Sequence, residues 1–248
     1  MTQRLQDRVA LITGASRGIG AAVARRFAAE GAHVILVART VGGLEELDDQ
    51  IRDAGGTATL VPLDLLKGEQ IDGLAAPLYQ RFGRIDILVG NAGSLGRLTP
   101  LAHYPPELWE EVFALNVHAN WRLVRSLDPL LRASPAGRVI FVTSGITRRH
   151  AAYWGAYAAS KAALEALAGT YAAETEKTTV RVNLLNPGPI RTAMRAQAFP
   201  GEDPATLLPP EAITDAFVAL AEASCSLHGQ WVAADEWLKG AGRDAALN

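Results

Sequence analysis

The sequence contains a single cysteine, Cys225, among its 248 residues. An internal disulfide is therefore excluded, and a zinc site built on cysteine ligands has no ligand set. The five histidines are scattered and never fall at metal-ligand spacing on one element, so no metal site is expected. One unpaired cysteine suits a reducing compartment, and we expect a cytoplasmic protein.

Surplus charge and long apolar runs are also missing. The 24 Lys plus Arg against 26 Asp plus Glu give a net charge of −2. No basic excess is available to neutralise a phosphate backbone, so nucleic acid is not an expected partner. The longest stretch without charge, residues 223–234, falls well short of the roughly 18 apolar residues of a membrane-spanning helix. The N-terminal residues do not read as a signal peptide, and no membrane association is expected.

Short apolar runs rich in β-branched residues alternate with helical patterns along the chain. Such runs are typical of parallel strands that are buried on both faces. Between the first two, Ile19, Val23 and Phe27 recur at helical spacing. The alternation predicts one Rossmann-type α/β domain over residues 1–248, a doubly wound, seven-stranded parallel sheet with helices on both faces. The predicted strands are residues 9–12, 34–37, 58–61, 85–89, 139–142, 180–185 and 230–233.

Two segments depart from this alternation. Residues 191–210 hold Pro200, Pro204, Pro209 and Pro210, which prevents one regular helix. Proline-rich insertions late in an α/β chain often cover a site, so we predict a substrate lid here. Residues 240–248 are small and polar and are predicted to be a flexible tail.

Residues 13–20 read Thr-Gly-Ala-Ser-Arg-Gly-Ile-Gly, directly after the first strand and before the first helix. The glycines allow a tight turn and close approach of the backbone to a pyrophosphate, and the helix N-terminus offers free N–H groups. A glycine-rich turn alone is compatible with an ordinary loop, but its place between strand and helix predicts a dinucleotide site. The predicted contacts in this loop are Gly14, Ser16, Arg17, Gly18, Ile19 and Gly20.

The spacing Gly-x-x-x-Gly-x-Gly after a threonine resembles the short-chain dehydrogenase/reductase family. NAD-preferring members of that family end the second strand with an acidic residue that binds the ribose 2′-hydroxyl. The corresponding residue here is Ala38, followed by Arg39 and Thr40. Arg39 and Arg17 can clamp a 2′-phosphate that a carboxylate would repel, so NADP (NADPH) is favoured over NAD. The alternative is that both arginines are ordinary surface residues.

Three further segments resemble parts of the family's cofactor site, each at the end of a predicted strand. In isolation, each also has an ordinary interpretation as a helix cap, a turn or a connection. Their order along the chain and their placement at strand ends support the resemblance. The residues assigned by it are Asp64 and Leu65, then Asn91, Ala92 and Gly93, and finally Pro187, Gly188, Ile190 and Thr192.

Tyr157 and Lys161 stand four residues apart in a predicted helix, so their side chains share one face. A phenol with an ordinary pKa of about 10 is a poor proton donor or acceptor at neutral pH. A neighbouring ammonium, together with the positive nicotinamide ring, favours the phenolate and moves that pKa toward the working range. This spacing alone is common on solvated helices, so it needs the context that follows. The resemblance makes both residues catalytic and cofactor-binding.

Ser144 ends the fifth predicted strand and precedes Tyr157 by 13 residues, as in the family pattern. Its hydroxyl can hold and polarise a substrate carbonyl. Asn116 interrupts the apolar face of the preceding helix and resembles the family's fourth catalytic position, which anchors a water that links the lysine to solvent. The alternative for Asn116 is a satisfied core amide. Tyr153 and Tyr171 lack a lysine four residues later and are not candidates.

The residues predicted to surround the site are mostly apolar. Ile146, Trp154 and Met194, with Ser144, are the predicted substrate contacts. We therefore expect a small-molecule partner, an apolar or amphipathic carbonyl compound or the corresponding secondary alcohol. The nearby arginines, including Arg148 and Arg195, speak for a charged substrate unless they are solvated.

Within the family, residues 154–161 and 191–204 resemble a bacterial subgroup of uncharacterised oxidoreductases, which names no substrate. One alternative is reduction of 3-oxoacyl-[acyl-carrier-protein]. Relatives with that activity carry basic docking residues, which counting places at Pro135 and Thr178 here. An alternative of another class is a non-catalytic NADP-binding sensor, although such a protein is expected to lose part of the set Asn116, Ser144, Tyr157 and Lys161.

The expected assembly is a homodimer or homotetramer. Many relatives end their last strand with Asp-Gly-Gly near a subunit interface, whereas residues 234–237 read Ala-Asp-Glu-Trp here. The predicted helices around residues 109–131 and 153–173 are long, and the second is rich in alanine, which permits close helix packing. We expect at least a dimer through these helices.

Overall fold

The structure is a computed structural model that describes residues 3–240, so residues 241–248 of the predicted tail lie outside the described residues. The strands, numbered along the chain, are β1 Val9–Thr13, β2 His33–Ala38, β3 Thr57–Pro62, β4 Ile87–Gly90, β5 Arg138–Val142, β6 Arg181–Asn186 and β7 Trp231–Ala233. Within the described part they form one sheet in the order β3-β2-β1-β4-β5-β6-β7, with every pair parallel. The predicted doubly wound, seven-stranded sheet is confirmed.

Each predicted strand is present, with its ends displaced by at most two residues. The largest displacement is at β4, which starts at Ile87. The interior strands are buried, and β5 is buried along its whole length. The expectation of burial on both faces is wrong for the two edge strands: β3 is half-buried or exposed throughout, and Trp231 and Val232 of β7 are half-buried. Fewer neighbouring elements cover the edges of the sheet.

The helices follow the strands in the alternating order that the sequence predicts. They are α1 Gly18–Ala29, α2 Val41–Asp53, α3 Gly68–Asp72, α4 Ala75–Phe82, α5 Pro106–Phe113, α6 Ala119–Arg132, α7 Gly155–Thr175, α8 Ala193–Ala198, α9 Thr214–Ala221 and α10 Ala234–Leu238. A π-helical segment, Ala114–His118, joins α5 to α6. None of the helices in residues 3–240 is long and apolar enough to cross a membrane.

Two separate hydrophobic clusters cover the two faces of the sheet. Helices α1, α2 and α9 pack on one face, where Phe27 and Phe217 are fully buried with Ile12 of β1. Helices α4, α6 and α7 pack on the other face, where Leu127 and Leu164 are fully buried. Parallel strands that carry helices on both faces are stable because neither apolar surface remains open to water.

The chain reverses its direction of travel across the sheet at β1, which lies between β2 and β4. At such a point the connections leave the carboxyl ends of the strands on opposite sides and open a crevice. The hydroxyl oxygen of Thr13 joins the two walls of this crevice, because it accepts hydrogen bonds of 3.0 Å from the backbone N–H groups of both Asn91 and Ala92.

Candidate active site

The glycine-rich loop lies at the carboxyl end of β1 and leads into α1. Gly14 and Gly18 have φ values of +65° and +58°, a left-handed backbone that favours glycine. A Cβ on Gly20 would press into the carbonyl oxygen of Gly14 and lie 2.6 Å from the Asn91 Nδ2. The loop thus fits together only with glycine at these places.

The N-terminus of α1 is open to a ligand. Arg17 occupies the N-cap in an extended conformation, and its side chain makes no capping hydrogen bond. The first N–H groups of a helix have no partner within the helix and, with the helix dipole, favour an anion. The loop and helix therefore fit a pyrophosphate group. Ser16 and Ile19 of this loop are half-buried.

Arg17 and Arg39 lie beyond the carboxyl ends of β1 and β2, and both side chains are exposed. Within residues 3–240, neither arginine forms an ion pair with an acidic side chain. Ala38 ends β2 and carries no charge, and the exposed Thr40 is the N-cap of α2. Two uncompensated cations therefore stand beside the loop, as the interpretation of a 2′-phosphate clamp requires.

Asp64 and Leu65 follow β3 at the same edge of the sheet. A carboxylate oxygen of Asp64 accepts a 3.1 Å hydrogen bond from the backbone N–H of Leu66. This contact closes a local turn and does not cap a helix, because the next helix has Lys67 as its N-cap. It leaves the half-buried Asp64 side chain at the crevice edge. Leu65 is buried in the core, so only its backbone remains to contact a ligand.

Asn91 and Gly93 bring the connection after β4 into the crevice. The Asn91 side-chain amide donates a 2.9 Å hydrogen bond to the carbonyl oxygen of Thr13. A Cβ on Gly93 would lie 3.2 Å from Asn116 Oδ1 and 3.5 Å from Lys161 Nζ. The absence of a side chain at Gly93 therefore keeps the space beside Lys161 open.

Tyr157 and Lys161 lie on the buried face of α7, with only 8% and 3% of their surface exposed. The Lys161 ammonium donates a 2.7 Å hydrogen bond to the carbonyl oxygen of Val142 and lies 5.8 Å from the centre of the Tyr157 ring. Burial lowers the pKa of Lys161 to about 8, and the Glu165 carboxylate opposes this by raising it. The lysine that the Tyr-x-x-x-Lys spacing predicts thus reaches the centre of the site as a buried cation.

Ser144 lies two residues after the end of β5 and caps the 3₁₀ turn Gly145–Arg148, on the side of Tyr157. Burial raises the pKa of the Tyr157 phenol, and a hydrogen bond with the Ser144 side chain lowers it. The expected decrease of this pKa is thus not produced by the protein's own groups, because removal of the phenol from water outweighs the other effects. That expectation also included a positive nicotinamide ring, so the protein supplies only part of the predicted environment.

Asn116 lies in the π-helical segment and is fully buried. Its Oδ1 accepts a 2.8 Å hydrogen bond from the Ser94 N–H, and its Nδ2 donates to the Ser94 carbonyl oxygen and the Ser160 hydroxyl, both at 2.9 Å. The amide is therefore satisfied by the protein itself, as the alternative interpretation expects. Ser160 precedes Lys161, and its hydroxyl in turn donates a 2.9 Å hydrogen bond to the Tyr157 carbonyl oxygen, so the amide is linked to the helix that carries both residues. Single π-helical turns inserted within α-helices frequently occur at functional sites.

The proline segment after β6 lies against the glycine loop. Asn186 Oδ1 accepts hydrogen bonds from the N–H groups of Gly145 and Gly188, at 3.0 and 3.3 Å, and so joins this segment to the Ser144 turn. Pro187 is half-buried, and Ile190 is buried and pairs with Leu208 in an isolated bridge. A Cβ on Gly18 would lie 3.6 Å from the methyl carbon of Thr192.

A third hydrophobic cluster surrounds Tyr157. The Trp154 ring centre lies 6.0 Å from that of Tyr157 and 5.7 Å from that of Phe199. The predicted substrate contacts Ile146, Trp154 and Met194 therefore lie together beside the phenol. The cluster consists of Leu95, Ile146 and Tyr157, with Leu98, Trp154, Ala158, Met194 and Ala198 packed against it.

Residues 191–210 form the segment that the sequence predicts to be a lid. It contains α8 and a 3₁₀ turn, Pro204–Thr206, and Arg195 binds Glu202 through two hydrogen bonds of 2.6 and 2.5 Å. The Arg195 guanidinium also lies 3.8 Å from the centre of the Phe199 ring. A cavity of about 320 Å³ lies within this segment, but Ser144 and Tyr157 do not line it.

The excluded tyrosines lie outside the cluster around Tyr157. Tyr153 is exposed, and the Tyr171 hydroxyl donates a 2.8 Å hydrogen bond to Asp128. Sequence reasoning missed Ser94, Ser160, Asn186 and Glu165, which support the site from behind. Only Ser160 and Glu165 carried a signal, because both lie near Tyr157 and Lys161 in the same helix.

A glycine-rich loop at the crevice of a doubly wound sheet lies at the same edge as a converging serine, tyrosine and lysine. This combination defines an NAD(P)-dependent oxidoreductase. Among residues 3–240, no group of three or more His, Cys, Asp or Glu side chains is arranged to hold a metal ion.

Comparison with known proteins identifies the family. The model of the short chain dehydrogenase family matches residues 8–203. The uncharacterized oxidoreductase YciK of Escherichia coli strain K12 is 41% identical over 219 residues, which cover 87% of this chain and 86% of that protein. The chain belongs to the short-chain dehydrogenase/reductase family.

Two other relatives name a ligand or a substrate. A structure from Shigella flexneri 2a strain 301, described as a short chain dehydrogenase complexed with NADP, is 38% identical to this chain. The two structures superpose with a TM-score of 0.91 over 95% of this chain and 100% of the Shigella flexneri chain. A protein of Acinetobacter baylyi named fatty acyl-CoA reductase is 36% identical over 211 residues, which cover 85% of this chain and 72% of that protein.

Proposed function

We propose that the protein catalyses NADPH-dependent interconversion of an apolar or amphipathic carbonyl compound and its alcohol. The observation that carries this proposal is the convergence of the buried Tyr157 and Lys161 with the chain on either side of Ser144. Lys161 donates to the carbonyl oxygen of Val142, two residues before Ser144, and Ile146, two residues after it, packs against Tyr157. A hydroxyl and a phenol that lie together beside an apolar cluster can bind the same carbonyl oxygen from two sides. The dinucleotide supplies or accepts the hydride when it is bound.

Each residue of this set has a separate task in the proposed reduction. Ser144 donates a hydrogen bond to the carbonyl oxygen and stabilises the charge that develops there. Tyr157 gives its phenolic proton to that oxygen, and the reverse transfer serves alcohol oxidation. Lys161, held by the carbonyl oxygen of Val142, keeps a positive charge beside the phenol and favours the transient phenolate. Asn116 binds the Ser94 backbone and the Ser160 hydroxyl and acts as a positioning residue.

NADPH is proposed in preference to NADH. Arg17 and Arg39 are exposed, lie beside the glycine loop and have no acidic partner among the ion pairs of residues 3–240. The NADP complex of the Shigella flexneri relative supports the same choice. The remaining proposed cofactor contacts are those described above in the glycine loop, after β3 and β4, and after β6.

The apolar cluster around Tyr157 supports an uncharged or amphipathic substrate. Arg195, which the sequence left as an argument for a charged substrate, is bound to Glu202. The similarity to a fatty acyl-CoA reductase is consistent with a long apolar substrate chain. For 3-oxoacyl-[acyl-carrier-protein], Pro135 and Thr178 remain the positions in doubt, since neither is basic.

The expected dimer or tetramer stays a proposal. Helix α7 presents exposed alanines, and Trp121 on α6 is 47% exposed, which supports helix packing between two copies of the chain. A light-scattering mass equal to one chain would exclude it. The cytoplasm is the proposed compartment, supported by the single cysteine, Cys225, which is buried as a free thiol.

A panel of aldehydes and ketones, assayed by NADPH and NADH oxidation, tests the proposed function. We expect turnover of apolar or amphipathic carbonyl compounds with preference for NADPH. If the protein binds NADPH but oxidises it with no member of a broad panel, and produces no NADPH from alcohols and NADP, the sensor alternative is favoured instead.

A further inference from the structure

Glu165 lies on the same face of α7 as the two candidate catalytic side chains. Tyr157, Lys161 and Glu165 follow one another at intervals of four residues, which stack on one side of a helix. Glu165 is half-buried and has none of the roles proposed for Ser144, Tyr157, Lys161 and Asn116 in the reaction. Its contacts therefore need an explanation of their own.

One oxygen atom of Glu165 receives three hydrogen bonds from three parts of the chain. Glu165 Oε1 accepts from the hydroxyl of Thr143 at 2.6 Å, from the hydroxyl of Thr147 at 2.8 Å and from the indole N–H of Trp231 at 2.9 Å. Hydrogen bonds to an ionised carboxylate are about twice as strong as those between neutral groups. The carboxylate therefore fixes its three donors to α7.

Two of these donors lie on either side of Ser144. Thr143 directly precedes Ser144, and Thr147 lies in the 3₁₀ turn that follows, Gly145–Arg148. The Thr147 N–H also donates to the Ser144 carbonyl oxygen at 3.2 Å. Holding both flanks of the turn restrains the position of the Ser144 hydroxyl relative to Tyr157.

The charges that face Glu165 come from its own helix and from the turn. Lys161 lies one helical turn earlier, and the Glu165 carboxylate raises the pKa that burial lowers there. From the turn, the Arg148 guanidinium lies 4.8 Å from the centre of the Trp231 ring, whose N–H binds Glu165. A negative charge at Glu165 thus supports the positive charge of Lys161 while it binds the turn.

We propose that Glu165 is a positioning residue that holds the Ser144 turn at a fixed place against the helix carrying Tyr157 and Lys161. The inference rests on the proposed function, because it assumes that Ser144 binds the substrate carbonyl. A misplacement of about 1 Å at a reacting group can reduce turnover roughly a hundredfold. Loss of one of several restraints on the turn is expected to cost roughly tenfold.

The first test is hydrogen exchange of the turn, which needs no substrate. In Glu165→Ala, the amides of residues 143–149 are expected to exchange faster than in the wild type, and those of β1 are expected to be unchanged. Glu174→Ala, which removes an exposed carboxylate from the same helix, is the matched control. Unchanged exchange of the turn in Glu165→Ala overturns the proposal, even if the protein proves inactive toward every carbonyl compound tried.

The second test asks whether Glu165 acts through Ser144. With NADPH and the carbonyl compound that the wild type reduces fastest, Glu165→Ala is expected to lower kcat/KM roughly tenfold, with the Kd of NADPH within about twofold. Glu165→Gln keeps an oxygen that accepts the same hydrogen bonds and is expected to recover part of the loss. In a Ser144→Ala background, Glu165→Ala is expected to cause little further loss, because the group it positions is gone.

The outcomes separate this inference from the proposed function. If Tyr157→Phe and Ser144→Ala lower turnover but Glu165→Ala does not, Glu165 has no positioning role and the proposed function stands. If Glu165→Ala causes its full loss in the Ser144→Ala background as well, it acts on the fold rather than through Ser144, and the proposal is overturned. If Tyr157→Phe leaves turnover unchanged, the proposed function itself fails.

Discussion

The ammonium group of Lys161 donates a 2.7 Å hydrogen bond to the carbonyl oxygen of Val142, the last residue of β5. This contact joins the helix that carries Tyr157 to the strand that leads into Ser144. It also holds the charge of Lys161 away from water, which lowers the stability of the folded chain unless hydrogen bonds or an opposite charge compensate fully. The free energy of unfolding should therefore increase when this buried lysine is replaced by an apolar residue.

Replacing Lys161 with methionine tests that burial. The pKa of Lys161 is lowered from 10.5 to about 8 in the folded chain, chiefly by burial. Between these pH values the unfolded chain binds more protons than the native one, so native stability rises with pH there, and below about pH 8 the full cost is present. Lys161→Met is expected to unfold at higher urea than the wild type at pH 7, by up to about 3 kcal/mol less the hydrogen bond that it loses.

The difference between the two proteins should shrink as the pH rises from about 8 toward 10.5. Urea unfolding at pH 7 and pH 9.5 measures it. A difference of the same size at both pH values would show that the lysine does not titrate in this range. The variant is expected to lose carbonyl reduction at both pH values.

Alanine substitutions at Gly20, beside the glycine-rich loop, and at Gly42 of α2 test whether this loop binds the nucleotide. In Gly20→Ala the new Cβ presses into the backbone of Gly14, so we expect reduced stability and at least tenfold weaker NADPH binding. Gly42→Ala is the control, because a Cβ at that position of α2 meets nothing within 4 Å. It is expected to stabilise the chain by about 0.5–1 kcal/mol and to leave binding unchanged. Equal NADPH affinities of the two variants would argue against the glycine loop as the nucleotide site.

Arg39→Ala tests the proposed choice of NADPH. Loss of one charged hydrogen bond to a 2′-phosphate should lower kcat/KM for NADPH roughly tenfold or more and change that for NADH by less than about twofold. Arg17→Ala should behave alike. Arg52→Ala, an exposed arginine at the far end of α2, is the control and should change neither value. A parallel loss with both dinucleotides would show that Arg39 does not read the 2′-phosphate.

Arg195→Ala tests whether residues 191–210 act as a lid. The substitution removes both hydrogen bonds to Glu202 and the contact with Phe199, which packs against Trp154. We expect a rise of about threefold to tenfold in the KM of the carbonyl compound, with little change in NADPH affinity. Arg25→Ala removes a comparable surface ion pair with Glu211 outside the lid and should leave both constants unchanged. A similar rise in both variants would assign the effect to general stability.

The ion pair between Arg195 and Glu202 should also persist in mild acid. The hydrogen bond from Arg195 holds the pKa of Glu202 below its ordinary value of 4.5. A carboxylate with a lowered pKa keeps its ion pair until the pH falls through that lower value. The carbonyl KM of the wild type should therefore show no rise from loss of this pair between pH 7 and pH 5.

Much of the fold follows from local patterns in the sequence. The apolar runs predict the interior strands because a strand buried on both faces must be apolar throughout. The two edge strands were found by the same pattern although they are only partly buried. The glycine loop was recognisable because only glycine tolerates the backbone of Gly14 and Gly18. Tyr157 and Lys161 were recognisable because a helix places residues four apart on one side.

The remaining features depend on contacts between distant segments. The π-helical segment at Asn116 joins Ser94 to Ser160 across 22 and 44 residues of chain, and no local pattern marks it. Burial of Tyr157 and Lys161 raises the first pKa and lowers the second, and burial is set by packing rather than by the spacing of two residues. The role of Glu165 depends on the segment after β5 and on β7, which bring three hydrogen-bond donors to one of its oxygens.

The most direct test of the proposed chemistry is turnover of Tyr157→Phe, compared with Tyr153→Phe. Tyr153 lies four residues before Tyr157 but is exposed and outside the cluster. We expect Tyr157→Phe to bind NADPH within a few-fold of the wild type, because it loses only one cofactor contact, and to oxidise it with the carbonyl compound at least about a hundredfold more slowly. Tyr153→Phe should retain full activity. Equal rates of NADPH oxidation by the wild type and Tyr157→Phe would contradict the assignment of Tyr157 as the proton donor.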